Sequence, residues 1–383
     1  MLARELASLP QGVHALLARH RFDTDRFLSL ASGLQEGRAF DNRVKESVLP
    51  PEKDDIDRLP EHDEARARLE SLGREAMRSG RVALVVLAGG MATRMGGVVK
   101  ALVEVMPGQT FLDLRFAEQD AVARRVGRRP PLWIMTSHAT DAPIRDALSR
   151  RSRADAFAFP QRLSVRVTPD GHVFLDAEGM PSLYSPGHGD AVDALRDSGL
   201  LEAFVSSGGR TVVVTNLDNL GATLDATNLG FHLASGAKVT SEVVDRRDAD
   251  RGALLVRRRR GGGASQSRET SRLTVLEDFR LPIGFDVSSA PVFNVNTYYF
   301  DATALVEMQP AWTYFAVRKK VEEAEVIQFE RLINEVVDWL PTRFLHVARS
   351  GKDSRFLPVK DGADLAARRH DIETIATARG ILG

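Results

Sequence analysis

Arg81-Val-Ala-Leu-Val-Val-Leu-Ala-Gly-Gly-Met-Ala-Thr-Arg-Met-Gly-Gly-Val-Val-Lys100 is the stretch on which the fold turns. Val82 to Leu87 is apolar throughout, with no polar residue to face water. A run of that kind reads as a strand buried on both faces, the mark of a mostly parallel sheet. It empties into Ala88-Gly89-Gly90, where small residues let backbone N–H groups approach a ligand closely. Working outward, further strands read at Pro131–Thr136, Thr211–Thr215 and Ala237–Val244. Helical stretches such as Phe111–Arg124 and Ile144–Arg151 separate them. That alternation predicts a doubly wound α/β layer architecture. Ligands in such sheets bind beyond the carboxyl ends of the strands, which singles out the loops after Leu87, Thr136, Thr215 and Val244.

Upstream, residues 1–80 read as helical. Leu6, Leu9, Val13, Leu16 and Leu17 share a stripe, Glu61–Met77 is rich in Ala, Glu, Arg and Leu, and a proline-bounded polar connection lies between. This segment is expected to be an N-terminal helical subdomain, ahead of a catalytic domain over 81–365 and a C-terminal helix over 366–383. Residues 253–278 read as an antiparallel excursion, an arginine-rich arm turned by a Gly/Ser-rich loop. Four consecutive arginines invite a nucleic-acid reading. A solvated hairpin is the plainer one, since no aromatic residue interleaves them as a stacking site requires.

Composition narrows the function. Lys plus Arg and Asp plus Glu stand at 52 each, so no global charge draws in nucleic acid or an anionic membrane, and any anion site must be local. There is no cysteine, which excludes disulfides, thiolate nucleophiles and Cys-ligated metals and fits a reducing cytoplasm. The longest apolar stretch, around Val82–Ala88, falls far short of the ~20 residues of a membrane helix. Trp133, Trp312 and Trp339 sit in apolar settings and read as core.

The Leu87–Lys100 loop pairs its glycines with two fixed cations, Arg94 and Lys100. It has neither the Gly-Lys-Ser/Thr of a Walker loop nor a GxGxxG. Alone it reads equally as a phosphate cradle or as a strand-end turn with two exposed bases. Together with the residues that follow it, the loop resembles the nucleotide-binding loop of the UDP-glucose and UDP-N-acetylhexosamine pyrophosphorylase family. That loop runs roughly L-x-G-G-x-G-T-x-x-G-x-x-x-P-K before a T-F-L-D-L helix start. Further segments match in order: Phe159-Pro-Gln161 with Arg166, Ser185-Pro-Gly-His-Gly-Asp190, Asn216-Leu-Asp-Asn-Leu-Gly-Ala222, Phe293-Asn-Val-Asn296, Val326-Ile-Gln-Phe-Glu330 and Arg355-Phe-Leu-Pro-Val-Lys360. The likeness covers about residues 81–365, and Pro-Gly-His-Gly-Asp and Arg-Phe-Leu-Pro-Val-Lys point to the UDP-glucose branch. Two departures stand out. Ala92 replaces a glycine, which would be strained if φ were positive, and Val99 replaces the proline before Lys100.

The resemblance implies a Rossmann-like (glycosyltransferase A-like) nucleotidyltransferase with a mixed sheet flanked by helices. It implies uridylyl transfer from UTP to glucose 1-phosphate, giving UDP-glucose and pyrophosphate. Other UDP-sugars, such as UDP-N-acetylhexosamine, are the near alternative, and a non-catalytic UDP-sugar-binding protein the distant one. The nucleophile is already an anion, so the chemistry needs cations and positioning rather than a base. By resemblance, Lys100, Arg94 and Lys360 carry the catalysis. Leu87, Ala88, Gly89, Gly90, Gln161, Gly187 and Asp218 hold the nucleotide, with Gln161 and the Gly187 backbone reading uracil. Asp218 is also the expected ligand of Mg²⁺, the one cofactor implied. His188, Asn216, Gly252, Asn294, Asn296 and Glu330 are assigned to the sugar phosphate, His188 as a donor rather than a base. Outside this context Gln161 and Lys360 would read as surface residues and His188 as structural. The stretch after Lys360 is too short for the left-handed β-helix of eukaryotic members, so a monomer or dimer is expected.

Overall fold

The computed structural model describes residues 1–37, 40–92, 95–259 and 271–382. Its central feature among these residues is a ten-stranded mixed sheet. In chain order the strands are β1 (Ser47–Leu49), β2 (Val82–Leu87), β3 (Leu132–Thr136), β4 (Ala156–Pro160), β5 (Thr211–Asn216), β6 (Val239–Asp245), β7 (Ala253–Arg259), β8 (Ser271–Glu277), β9 (Val292–Asp301) and β10 (Thr342–His346). The spatial order is β1-β7-β9-β5-β2-β3-β4, with β8 also on β7, β6 also on β9, and β10 on β6. One half, β5-β2-β3-β4, is parallel throughout. In the other half β9 runs antiparallel to β5, β6 and β7. The apolar run of β2 is central because both its faces are covered: Ala83, Leu84, Val85 and Val86 are all essentially inaccessible.

The helices fall on both faces. On one, α4 (Asp63–Arg78), α5 (Phe111–Val126), α6 (His138–Arg151), α9 (Ala226–Ser235) and α11 (Gly362–Ala378) share a core with Leu84 and Val86. On the other, α7 (Ala191–Asp197), α8 (Leu200–Ser206) and α10 (Ala302–Glu307) pack on Ala83 and Val85. α5 begins as its sequence dictates: Thr110 accepts the Asp113 N–H, and Asp113 answers from the third position as a capping box. Trp133 stacks edge-on against Phe204, and Trp312 meets Trp339 in the same core.

The segment 1–80 is not one helical unit. Only α1 (Leu2–Ala7), α2 (Gln11–Arg19) and α3 (Thr24–Gln35) cluster together. Their stripe of Leu6, Leu9, Val13 and Leu17 buries against Leu163, Val165, Ile327 and Phe329. β1 instead joins the main sheet beside β7, and α4 lies on α9, so the expected boundary at residue 80 is not a packing boundary. The physical reason is that α4 has its own apolar face, Ala76 and Met77, which the sheet core takes up.

The arginine-rich arm forms the expected antiparallel pair, β7 with β8, and what differs is its setting. β7 and β8 belong to the main sheet, and their arginines are ion-paired: Arg257 with Asp55, Arg258 with Glu46, and Arg272 with Asp338 at 3.0 Å. The strands place the charges where acidic residues of the N-terminal segment and of 333–338 meet them. The Gly/Ser-rich connection, 260–270, lies outside the described residues. Among the described residues no helix is long and apolar enough to cross a membrane.

Candidate functional site

Parallel register builds the site. Leu87 of β2 lies opposite Asn216 of β5 and Met135 of β3, and Thr136 lies opposite Pro160 of β4. The residues that follow each strand therefore emerge side by side. They line a cleft of about 570 Å³: Ala88–Gly90 after β2, Ser137–His138 after β3, Gln161 after β4, and Leu217–Asp218 after β5, with Lys100, Gly187 and His188 completing it. The loop after Val244 was expected here too. It opens instead on a second cleft of about 420 Å³, because β9 separates β6 from β5.

In the glycine loop, Met91–Ala92 pairs with Val98–Val99 as a small hairpin, turned by Gly96 and Gly97 at φ 87° and 73°. Ala92 is a strand residue of that hairpin, so the left-handed backbone falls on the glycines and the alanine is accommodated. Val99 has φ −63°, the value a proline would fix; the substitution loses the ring but keeps its geometry. Arg94 lies outside the described residues.

Lys100 Nζ donates to Asp218 Oδ2 at 2.7 Å, joining the end of the glycine loop to the turn after β5. Both side chains are largely shielded, at 13% and 26% exposure. Lys360 comes close in backbone only. Val359 N–H donates to the Asp218 carbonyl at 2.9 Å and Leu357 N–H to Asn219 Oδ1 at 2.8 Å, so residues 357–360 run along the turn. The Lys360 side chain, however, is exposed and faces the second cleft, beside Arg247, Arg251 and Arg349.

On the opposite wall, Gln161 is 5% exposed and its Nε2 donates to the Gly187 carbonyl at 2.7 Å. Gly187 is obligatory. Its φ is +84°, and a Cβ would stand 2.9 Å from the Arg331 carbonyl. The last residue of Pro-Gly-His-Gly-Asp latches this loop: buried Asp190 pairs with buried Arg331 and accepts the Arg162 N–H at 2.6 Å. His188 Nδ1 accepts the Ile333 N–H at 3.1 Å, which leaves the proton on Nε2. Burial pushes the ring down to about 4, so it is a neutral donor at pH 7.

The sugar-phosphate candidates divide. Asn216 lines the first cleft, and its Oδ1 accepts from Asn296 Nδ2 at 2.8 Å. Asn296 therefore stands behind Asn216, in a left-handed conformation at φ 58°. Asn294 is 4% exposed and already engaged: it donates to Ser241 Oγ at 2.6 Å and accepts from the Asn296 N–H and the Tyr298 hydroxyl. Its place is structural. Glu330 pairs with Lys319 at 3.2 Å, behind Gln328 and Arg166, which line the first cleft. Gly252 sits away from that cleft, at the start of β7, its N–H donating to Asp278 Oδ2 at 2.9 Å.

Sequence reading missed Glu277. Its carboxylate lies beside Gly252, 3.6 Å from where a Cβ would be. Burial, reinforced by Asp278, pushes it up to about 7. An isolated glutamate at a strand end gives no signal in sequence. Among the described residues no three His, Cys, Asp or Glu side chains group to hold a metal. Asp218 is thus a lone carboxylate, suited to a hard ion that takes its other oxygens from phosphates and water.

A family model described as UTP–glucose-1-phosphate uridylyltransferase matches residues 25–380, from α3 through the sheet to the end of α11. The chain is 28% identical over 310 residues to the UTP–glucose-1-phosphate uridylyltransferase of Saccharomyces cerevisiae, covering 76% of this chain and 60% of that protein. It is 26% identical over 400 residues to a probable UTP–glucose-1-phosphate uridylyltransferase of Schizosaccharomyces pombe, covering 98% and 74%. The chain thus spans less than two thirds of the Saccharomyces relative's length. Its fold matches a UDP-glucose phosphorylase from Trypanosoma brucei with TM-score 0.71 at 22% identity, over 90% of this chain and 74% of that one. It also matches a variant of UDP-glucose pyrophosphorylase from Leishmania major with TM-score 0.72 at 23% identity, over 94% and 79%.

Proposed function

The chain belongs to the UTP–glucose-1-phosphate uridylyltransferase family, and from that premise we propose that it transfers a uridylyl group from UTP to glucose 1-phosphate, giving UDP-glucose and pyrophosphate. The observation that carries this reading is the meeting of Lys100 and Asp218 at 2.7 Å across a glycine-lined cleft, with Gln161 and Gly187 on its far wall. A cation and a carboxylate at that point suit a reaction between two polyanions. A phosphate oxygen of the sugar phosphate attacks the α-phosphorus in line, a P–O bond forms, and the bond to the β-phosphate breaks with pyrophosphate leaving. No proton has to be removed from the nucleophile.

Lys100 binds the triphosphate and the incoming phosphate, exchanging its bond to Asp218 for them. Asp218 would hold Mg²⁺, which would supply neutralisation of phosphate charge. Gln161 and the Gly187 backbone complement the uracil edge, whose N3–H and carbonyls need both an acceptor and donors. His188 Nε2–H donates to a phosphate oxygen. Lys360 approaches the same phosphates from the segment beside Asp218, which requires its side chain to swing from the second cleft. Asn216, held from behind by Asn296, offers the polar group on this side of the cleft that meets sugar hydroxyls. The lack of cysteine is compatible with a reducing cytoplasmic setting.

A pyrophosphate-release assay with UTP and a panel of sugar 1-phosphates tests the reading. Glucose 1-phosphate should give the highest kcat/KM. Preference for N-acetylglucosamine 1-phosphate would move the chain to the sister activity. No release with any sugar would leave a UDP-sugar-binding protein.

A further inference from the structure

Leu217 and Leu220 root the turn that carries Asp218 in the sheet core, and its carbonyls are held in addition by guanidinium groups that no part of the reaction uses. Arg115, on α5, is 2% exposed. Its Nη2 donates to the carbonyls of Asn216 at 2.9 Å, Asn219 at 3.0 Å and Leu217 at 3.4 Å, and its Nη1 to that of Ala222 at 2.9 Å. The charge is matched by buried Glu118, at 2.9 Å, whose other oxygen accepts the Leu224 N–H at 2.7 Å. From the other side Arg379, at the end of α11, donates to the Gly221 carbonyl at 2.6 Å and Thr223 Oγ1 at 2.9 Å, while its Nη2 reaches the Ser354 carbonyl at 2.7 Å. Arg379 therefore ties the turn that carries Asp218 to the segment that carries Lys360.

We propose that Arg115 and Arg379 are positioning residues that grip the Asn216–Thr223 turn by its backbone carbonyls and so set where the Asp218 carboxylate stands relative to Lys100 and Lys360. The clamp rests on the reading of Asp218 and Lys100 as the reacting centre. Its logic is electrostatic as well as geometric. Carbonyl oxygens left facing the cleft would repel phosphate oxygens, and the guanidinium forks turn them inward. A planar fork reaches several carbonyls at once, which a lysine ammonium does not do in the same geometry. The sequence is silent here, because the turn's carbonyls lie a hundred and more residues from either arginine.

Three variants test it. Arg115→Lys keeps a cation against Glu118 and so preserves the buried charge balance. Arg379→Ala and Arg379→Lys probe the second grip. In the free protein, amide exchange in residues 217–224 should quicken in all three, with β2 and β5 amides unchanged. In the assay kcat should fall, by on the order of 10²-fold for Arg115→Lys, as misplacement by about an ångström costs. The magnesium midpoint should rise, and KM for UTP should change little because the uracil wall is untouched. Arg379→Lys should recover part of what Arg379→Ala loses. Wild-type exchange in 217–224, or faster exchange spread evenly over the sheet with kcat and KM changing together, would overturn the clamp. A wild-type protein that releases no pyrophosphate would overturn the proposed activity instead, and the exchange result would still decide the clamp.

Discussion

The parallel half of the sheet and its antiparallel half solve different problems. In β5-β2-β3-β4 every strand ends on the same edge, so four loops distant in sequence converge on one cleft without further instruction. In β6 to β9 paired strands end at opposite edges, with β10 alone added parallel to β6, and a residue reaches the site through a chain of contacts. Asn294 supports Asn296, which supports Asn216. The lesson is that the residues proposed for phosphate and base sit directly on strand ends, whereas those proposed for the sugar are held by buried polar networks. Substitutions in the first half should therefore damage chemistry, and those in the second should damage the frame.

The largest effect is expected at Lys100. Lys100→Ala should lower kcat by about 10²–10³-fold, the scale of losing one preorganised charged contact to a transition state, with a smaller change in UTP binding. Near-normal turnover in single-turnover kinetics would end the assignment. Asp218→Asn keeps the shape but removes both the partner of Lys100 and the charge that draws in magnesium. Activity should fall by about 10²-fold and partly recover at high Mg²⁺. Identical magnesium titrations for variant and wild type would move the metal elsewhere.

The antiparallel half should respond differently. Asn294→Ala takes one buried partner from each of Ser241 and Tyr298, which should cost about 1–3 kcal/mol of stability. It should be visible as a lower urea midpoint, with kcat falling far less than in Lys100→Ala. A variant as stable as wild type but inactive would make Asn294 a direct ligand after all. Back on the parallel edge, Gln161→Ala should narrow the preference for UTP over CTP by about tenfold, since a site that hydrogen-bonds its substrate rejects analogues that leave its groups unpaired. An unchanged kcat/KM ratio would show that the base is read elsewhere.

The smallest contrast concerns pH. Glu277 is raised from 4.5 to about 7 in the folded chain. Its contribution to stability is therefore present below about 4.5 and lost as pH rises through 7. His188 is lowered from 6.5 to about 4, so its contribution is present above 6.5 and lost as pH falls towards 4. Glu277→Gln should accordingly raise Tm at pH 8 and leave it nearly unchanged at pH 5. The opposite pattern would mean that the carboxylate is stabilised in its charged form.

Much of the site was legible before folding. The apolar run Val82–Leu87 and the glycines after it located the first wall, and the residues matching the family's segments located Gln161, Gly187, His188, Asn216 and Asp218, all of which line the cleft. Gly252, Asn294 and Glu330 were placed in the same group by resemblance alone. The structure sets Gly252 apart, engages Asn294 in the sheet interior and stations Glu330 behind Gln328. Segment 1–80 misled for a related reason: helical periodicity tells that a face will be buried, not which surface will bury it.

What the sequence determined by itself is the set of local choices. A strand with two apolar faces must be sandwiched, and glycines at 96 and 97 carry the left-handed turn so that Ala92 need not. Thr110 and Asp113 start α5 by a cap that needs only neighbouring residues. Tertiary structure alone decided which half of a mixed sheet would own the cleft, that the arginines of β7 would meet Glu46 and Asp55, and that Arg115 and Arg379 would close on the carbonyls around Asp218. The reason is physical. Periodicity and capping are short-range consequences of backbone geometry, whereas a buried charge is settled by whichever distant group satisfies it once the chain has collapsed, and nothing local in the sequence names that partner.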